Sequence, residues 1–252
     1  MKVSGVVITY NEAQHIESCI RALQQVTDEI IVVDSFSRDD TAQICMNLGV
    51  NFFTHAYEGQ VEQKNYALSK SSHDMILSVD GDEVLSKKII DSINLEKSRG
   101  FPCAGYEMNR LTNYAGQWIK HGGWYPDWKL RLWHKKKGSW KGQNPHDRVI
   151  LNDDLKPKRL RGDILHYAFE SISEHQSRIE NYASIGAESM YSLGKKSNWF
   201  LVLLSPMWKF VRDYLLKAGF LDGKHGFIIA RLSAKSKYLK YKKLLNLQKK
   251  NK

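Results

Sequence analysis

A chain of 252 residues that is 42% hydrophobic and 26% charged can bury one sizeable core, which excludes a disordered tail and a miniprotein. Its formal charge of +11 is unevenly spread: residues 195–252 hold 15 Lys/Arg against Asp213 and Asp222, a net of +13, and the rest of the chain comes to −2. The main body is therefore near neutral, and the three scattered cysteines, Cys19, Cys45 and Cys103, exclude a disulfide framework and a thiolate zinc site.

Taken in chain order, Val3 to Thr9 is a β-branched run that stops at Tyr10-Asn11-Glu12, which predicts a short buried strand and is too brief and too soon polar for a secretory signal. Ile16, Cys19, Ile20 and Leu23 form one helix face within Glu12 to Gln25. Glu29 to Asp34 is a second strand ending in a carboxylate, followed by a helix over Asp40 to Leu48 and a strand over Asn51 to Thr54. A third helix is expected over Val61 to Ser69, and Met75 to Asp80 is another apolar run ending in acid. This alternation predicts an α/β fold with a parallel sheet covered by helices, its ligands at the carboxyl ends of the strands.

After Ser98 the pattern changes to Trp-, Tyr- and Gly-rich short strands with turns at Gly116, Gly122-Gly123 and Gly138, up to about Leu165. Helices return from Ser171, and the last stretch is basic and amphipathic. No run reaches the ~18 apolar residues of a membrane-spanning helix. Lys235 to Lys252 is expected to fray.

The carboxylates are the informative feature. Asp34 closes the second strand, and Asp80-Gly81-Asp82-Glu83 closes the fourth. Two aspartates flanking a glycine can reach one divalent cation and its phosphates; the triplet is also an ordinary turn, but its place directly after a buried strand favours the ligand. No Gly-x-Gly-x-x-Gly follows the first strand and no Walker lysine loop occurs, which excludes a dinucleotide dehydrogenase and a P-loop enzyme.

Val7-Ile8-Thr9-Tyr10-Asn11-Glu12, Val33-Asp34-Ser35 with Asp39-Asp40-Thr41, Gln63-Lys64-Asn65 and Asp80-Gly81-Asp82-Glu83 together resemble the inverting nucleotide-sugar glycosyltransferases of family 2, with the GT-A fold. Further along, Gly122-Gly123-Trp124-Tyr125-Pro126-Asp127-Trp128 through Trp133, His146-Asp147-Arg148-Val149, Leu165-His166-Tyr167 and Gly219 to Phe227 resemble the subgroup that adds β-1,4-linked glucose to the inner core of lipopolysaccharide. One departure is Asp147 where many relatives carry Glu, one methylene longer.

The resemblance implies a Rossmann-like, mostly parallel sheet with flanking helices and a mixed-strand acceptor region. It also implies roles. Thr9, Asn11 and Glu12 would line the nucleotide cleft, with Asp34 accepting a hydrogen bond from the uracil ring; a turn or helix-cap role for Asp34 stays open. Lys64, Asp80 and Arg131 would face the donor phosphates or ribose. Asp82 and His166 would ligate Mg²⁺ or Mn²⁺, although a lone histidine is as readily structural. Asp147 would be the general base, with Trp124, Tyr125, Trp128 and Trp133 as the acceptor wall; aromatics this dense also serve as core.

On this reading residues 1–98 form a nucleotide-sugar-binding half and 99–194 an acceptor-binding and catalytic half. Residues 195–252 form a basic amphipathic tail that meets an anionic inner-leaflet membrane surface or packs on the catalytic domain. The expected reaction is metal-dependent transfer of a hexose, glucose from UDP-glucose, to a lipid-linked saccharide, by a protein that stays cytoplasmic and peripheral on the plasma membrane. Another UDP-sugar serves the same motifs. A membrane- or nucleic-acid-binding module is the alternative from a different class, and it leaves the strand-end acids without a purpose.

Overall fold

A computed structural model describes residues 1–142, 147–152 and 155–250. Strand β1 (Val3–Thr9) leads through α1 (Ile16–Leu23) to β2 (Glu29–Asp34), and α2 (Thr41–Asn47) leads to β3 (Asn51–Thr54). Then α3 (Gln60–Ser69) precedes β4 (Met75–Asp80). These three crossovers lay β3, β2, β1 and β4 side by side in parallel, as the strand and helix rhythm predicts.

The alternation of side chains along each strand builds a core on both faces of the sheet. Val3, Val7, Val32 and Leu77 pack with Ile16, Ile20 and Leu23 of α1 on one face. Val6, Ile31, Val33 and Ile76 pack with Ala67 of α3 on the other. Two further elements follow β4: the short β5 (Glu83–Leu85) and α4 (Lys87–Ser98).

Beyond them come β6 (Gly105–Tyr114), β7 (Gln117–Ile119) and β8 (Trp128–His134). The ribbon β9 (Gly138–Lys141) and β10 (Arg148–Leu151) precedes the long β11 (Lys158–Phe169). Here pairing turns antiparallel: β8 lies along β4 with Ile76 opposite Trp133, and β11 lies along β5 with His166 opposite Glu83. The sheet order is β3-β2-β1-β4-β8-β6-β11-β5.

The helices α5 (Ile172–Ser192), α6 (Trp199–Phe210) and α7 (Gly223–Lys250) complete the chain. Residues compact into two units, Met1–Arg110 with Asp127–Tyr167, and Leu111–Pro126 with Ala168–Lys252. The functional segments drawn at 98/99 and 194/195 do not coincide with these units, because β6 and β11 each cross from one to the other within a strand.

The second unit contains the turn at Ala115 and Gly116, both in the left-handed region (φ 49° and 86°). That is the twist a two-residue hairpin needs, and glycine takes it without strain. The hairpin presents Tyr114, which is fully buried with Ile119 and Ile229 and flanked by Trp124 and Phe169. Ser171, as expected, starts α5, its hydroxyl accepting from the Glu174 amide.

From Lys235 to Lys250 the tail does not fray but continues α7; residues 251 and 252 of the expected fraying stretch lie outside the described residues. Leu244 and Leu245 are buried, the Ser197 hydroxyl donates to the Tyr241 carbonyl at 3.0 Å, and the Gln248 amide donates to the Lys195 carbonyl at 3.1 Å. The apolar positions interleaved among the lysines supply a packing face that charge counting hides.

His175 tests this second core. Its ring stacks on Phe169 at 4.6 Å and its Nδ1 meets the Tyr114 hydroxyl at 2.9 Å, and burial lowers its pKa to about 4. The unfolded chain takes up the proton near pH 6.5 and the folded chain only near 4, so stability falls as pH drops through that window. Urea titrations of wild type and His175→Gln across pH 7 to 4 should show an extra loss of ~2–3 kcal/mol in the wild type alone.

Candidate active site

The ends of β1 and β4 meet because residue 81 is glycine. A Cβ there would stand 2.7 Å from Thr9 Oγ1, and the Gly81 amide donates to the Ile8 carbonyl at 3.0 Å. The resulting cleft of about 300 Å³ is lined by Thr9, Tyr10, Glu12, Ser35, Tyr57, Gln60, Asp80, Asp82 and His166. Thr9 Oγ1 is buried in it without a hydrogen-bond partner among the described residues.

Asn11 and Asp34 do not line this cleft themselves but sit next in sequence to residues that do, Tyr10, Glu12 and Ser35. Asn11 sits at φ 54°, its side chain accepting from the Arg38 amide at 2.8 Å. Both carboxylate oxygens of the buried Asp34 accept from Ser37, one from its amide at 2.7 Å and one from its hydroxyl. Asp34 thus holds the turn after β2, and Ser35 lines the cleft beside it.

A second cavity of about 500 Å³ shares Gln60 and Asp80 with the first. Lys64, Arg110, Trp128, Arg131, Trp140 and Asp147 line it. Asp80 therefore stands where the two meet. Arg131, delivered by β8, reaches Asp80 at 3.2 Å and Glu83 at 2.6 Å, while Arg110 of β6 reaches Glu83 at 3.2 Å.

Glu83 is fully buried and also accepts from the Asp80 amide at 3.1 Å. Burial pushes the Asp80 carboxyl up, but Lys64 and Arg131 outweigh it and hold it far below the usual carboxylate range. Glu83 is likewise held down by Arg131 against burial and the Asp80 charge. Burial pulls the Arg131 guanidinium down, and Glu83 and Asp80 more than reverse that. Asp80, Glu83 and Arg131 are therefore charged at neutral pH.

Lys64 is nearly enclosed, with 3% of its side chain exposed. Its ammonium lies 3.1 Å from Asp80, 2.7 Å from Asp147 and 4.4 Å above the Trp140 ring. The structure therefore brings Lys64, Asp80, Arg131 and Asp147 together. His146 and the Asn144-Pro145 turn before Asp147 lie outside the described residues.

Asp82 Oδ2 and His166 Nε2 stand 3.3 Å apart, joined by the Tyr167 amide donating to the Asp82 carbonyl at 3.0 Å. Among the described residues no group of three His, Cys, Asp or Glu can hold a metal alone. One carboxylate and one imidazole fit a hard cation that takes its other oxygen ligands from a diphosphate and water.

The expected aromatic wall is divided. Trp128 lines the larger cavity, with the Arg159 guanidinium 4.6 Å over its ring. Trp133 is fully buried, its indole N–H donating to the Gly138 carbonyl at 3.1 Å, and so does not form a wall. Strand alternation from Arg131 put it on the right face, but that face is covered by β9. Trp124 packs edge-on to Tyr114 at 5.5 Å in the second unit, where Tyr125 also lies.

Glu83, Arg110, Gln60, Tyr57 and Trp140 line or support the two cavities without having been expected there from sequence. Glu83 had a signal, its place in the acidic string; the others come from separate elements with no local pattern.

The model of glycosyl transferase family 2 matches residues 4–156. An uncharacterized glycosyltransferase of Rickettsia typhi is 31% identical over 256 residues, covering 98% of this chain and 87% of that one. The lipopolysaccharide core biosynthesis glycosyltransferase LpsC of Rhizobium meliloti is 24% identical over 240 residues, covering 93% and 88%. Glucosyl-3-phosphoglycerate synthase of Mycobacterium tuberculosis is 22% identical with a TM-score of 0.38, over 44% of each chain.

Removing Glu83 leaves the buried Arg131 and the partly buried Arg110 beside fewer anions. Glu83→Ala should lower unfolding stability by ~3–5 kcal/mol, read as a fall in the urea midpoint.

Proposed function

The chain belongs to glycosyl transferase family 2 and is a glycosyltransferase, and from that premise we propose that it transfers a hexose with inversion from a UDP-sugar, UDP-glucose, to a lipid-linked saccharide. The observation that carries this reading is the pair of cavities meeting at Asp80 and Gln60. One holds the Asp82 and His166 pair, and the other holds Asp147 beside Trp128 and Trp140.

In this reading the nucleotide occupies the smaller cleft, lined by Thr9 and Glu12, with Asn11 and Asp34 holding the adjoining turns. The larger cavity takes the acceptor, with an aromatic face on which a sugar ring stacks. The Asp147 carboxylate removes the proton of the attacking hydroxyl as its oxygen bonds to the anomeric carbon. The bond from that carbon to the diphosphate oxygen breaks on the opposite side, and UDP leaves with the electron pair. Lys64 and Arg131 offer positive charge beside Asp80, where that negative charge develops. Mg²⁺ or Mn²⁺ held by Asp82 and His166 would neutralise the departing diphosphate.

LpsC is named for lipopolysaccharide core biosynthesis, which supports a lipopolysaccharide-core saccharide as acceptor. No helix among the described residues is long and apolar enough to cross a membrane. A lipid-linked acceptor would be met at the cytoplasmic face of the plasma membrane, where the basic segment 195–252 suits an anionic leaflet.

Two variants separate base from metal. Asp147→Asn keeps hydrogen bonding but takes no proton, so turnover should fall by roughly 10² to 10⁴ with UDP affinity little changed; full activity would move the role to another acid. Asp82→Ala should abolish the Mn²⁺-dependent rise in melting temperature with UDP; a wild-type shift would show that the cation is not held there.

A further inference from the structure

Helix α6 buries a single side chain, Val202. Trp199, Phe200, Leu203, Leu204, Met207 and Trp208 are each between 42% and 70% exposed. Leu215, Leu216, Phe220, Leu221 and Phe227 extend the apolar surface through the turns that lead into α7. So many large exposed apolar side chains on one segment exceed what a surface in water ordinarily carries.

The charges around this surface have one sign. Asp213 is buried between Lys209 at 2.5 Å and Arg212 at 2.8 Å, and buried Asp222 accepts from the amides of Lys120 and His121. Every exposed charged residue from 195 to 224 is consequently a lysine: Lys195, Lys196, Lys217 and Lys224. Tryptophan, aliphatic side chains and a lysine rim without exposed acids match the headgroup layer of an anionic bilayer. Twelve residues of α6 span ~18 Å, too short to cross, and the turns that follow bring the chain back.

The same segment grips the loop before Trp124. The Gly122 amide donates to the Lys217 carbonyl at 2.8 Å, and a Cβ on Gly123 would stand 2.6 Å from Asp213 Oδ2. A Cβ on Gly226 would stand 1.9 Å from the Gly219 carbonyl oxygen, so the turn around Asp222 closes tightly. We infer that the surface from Trp199 to Phe227 inserts its apolar side chains into the headgroup layer of an anionic phospholipid bilayer, and that this packing fixes residues 120–126 to the membrane-bound segment. The inference deepens the lipid-linked acceptor proposed above and rests on that reading only for its purpose.

The test is flotation of the full chain with vesicles of phosphatidylglycerol and phosphatidylethanolamine, beside vesicles of phosphatidylcholine alone. Wild type should float with the anionic vesicles, less so as salt rises. The triple variant Phe200→Ser, Leu203→Ser, Met207→Ser, altered only at exposed positions, should bind at least ~tenfold more weakly. Lys209 and Arg212 are left intact because they pair with Asp213.

Equal flotation of variant and wild type overturns the proposal, as does a wild type that floats with neither vesicle. Light scattering that shows a wild-type dimer, a monomeric variant and no vesicle binding assigns the surface to a second copy instead. Should the triple variant fail to fold, quenching by brominated acyl chains decides: wild type must lose emission that Trp199→Phe, Trp208→Phe does not, and equal quenching overturns insertion. Flotation needs no donor, so transfer to a soluble saccharide without flotation counts against this inference alone. Flotation without transfer counts against the transferase assignment of substrates alone.

Discussion

The structure depends on the burial of charge at the end of β4. Glu83 is fully enclosed and Asp80 is partly so, with 26% of its side chain exposed, and enclosed carboxylates cost several kcal/mol each unless countercharges reach them. Arg131 and Arg110 do so from β8 and β6, and Lys64 does so from α3. The antiparallel strands must therefore lie in the register that delivers both guanidiniums. The same requirement places Asp80 at the junction of the two cavities, so that stability and site geometry follow from one ion cluster.

Much of the first unit was legible because its signals are local. Val3–Thr9, Glu29–Asp34 and Met75–Asp80 announce themselves as apolar runs ending in polar residues, and Ile16, Cys19, Ile20 and Leu23 repeat at helical spacing. Asp80 and Asp82 were legible by position. Arg110 and Trp140 were not, since each comes into the cavity from a strand whose neighbours in sequence point elsewhere, and only sheet order brings them to Asp80. Trp133 shows the converse: alternation along β8 predicted its face correctly, but the ribbon that covers that face has no signature in the sequence.

The tail was readable in charge and misjudged in order. Its net charge suggested a solvated, fraying end, whereas α7 runs to Lys250 and buries Leu244 and Leu245. Long lysine stems lie along apolar surface while their ammonium groups stay wet, so a helix can be strongly basic and still pack. Asp213 and Asp222, the tail's only acids, are both buried, which leaves its exterior more positive than composition alone conveys.

The chain passes between its two compact units three times, once within β6, once after Pro126 and once within β11. The hairpin that carries Tyr114 is thus made well before the helices that enclose it. On a ribosome, Tyr114 and Ile119 would emerge with their apolar faces uncovered and remain so until Phe169, His175 and finally Ile229 arrive. Closure of the second unit is deferred to the last stretch of synthesis, and a fragment of residues 168–252 made alone would lack the ring around which its own core is arranged.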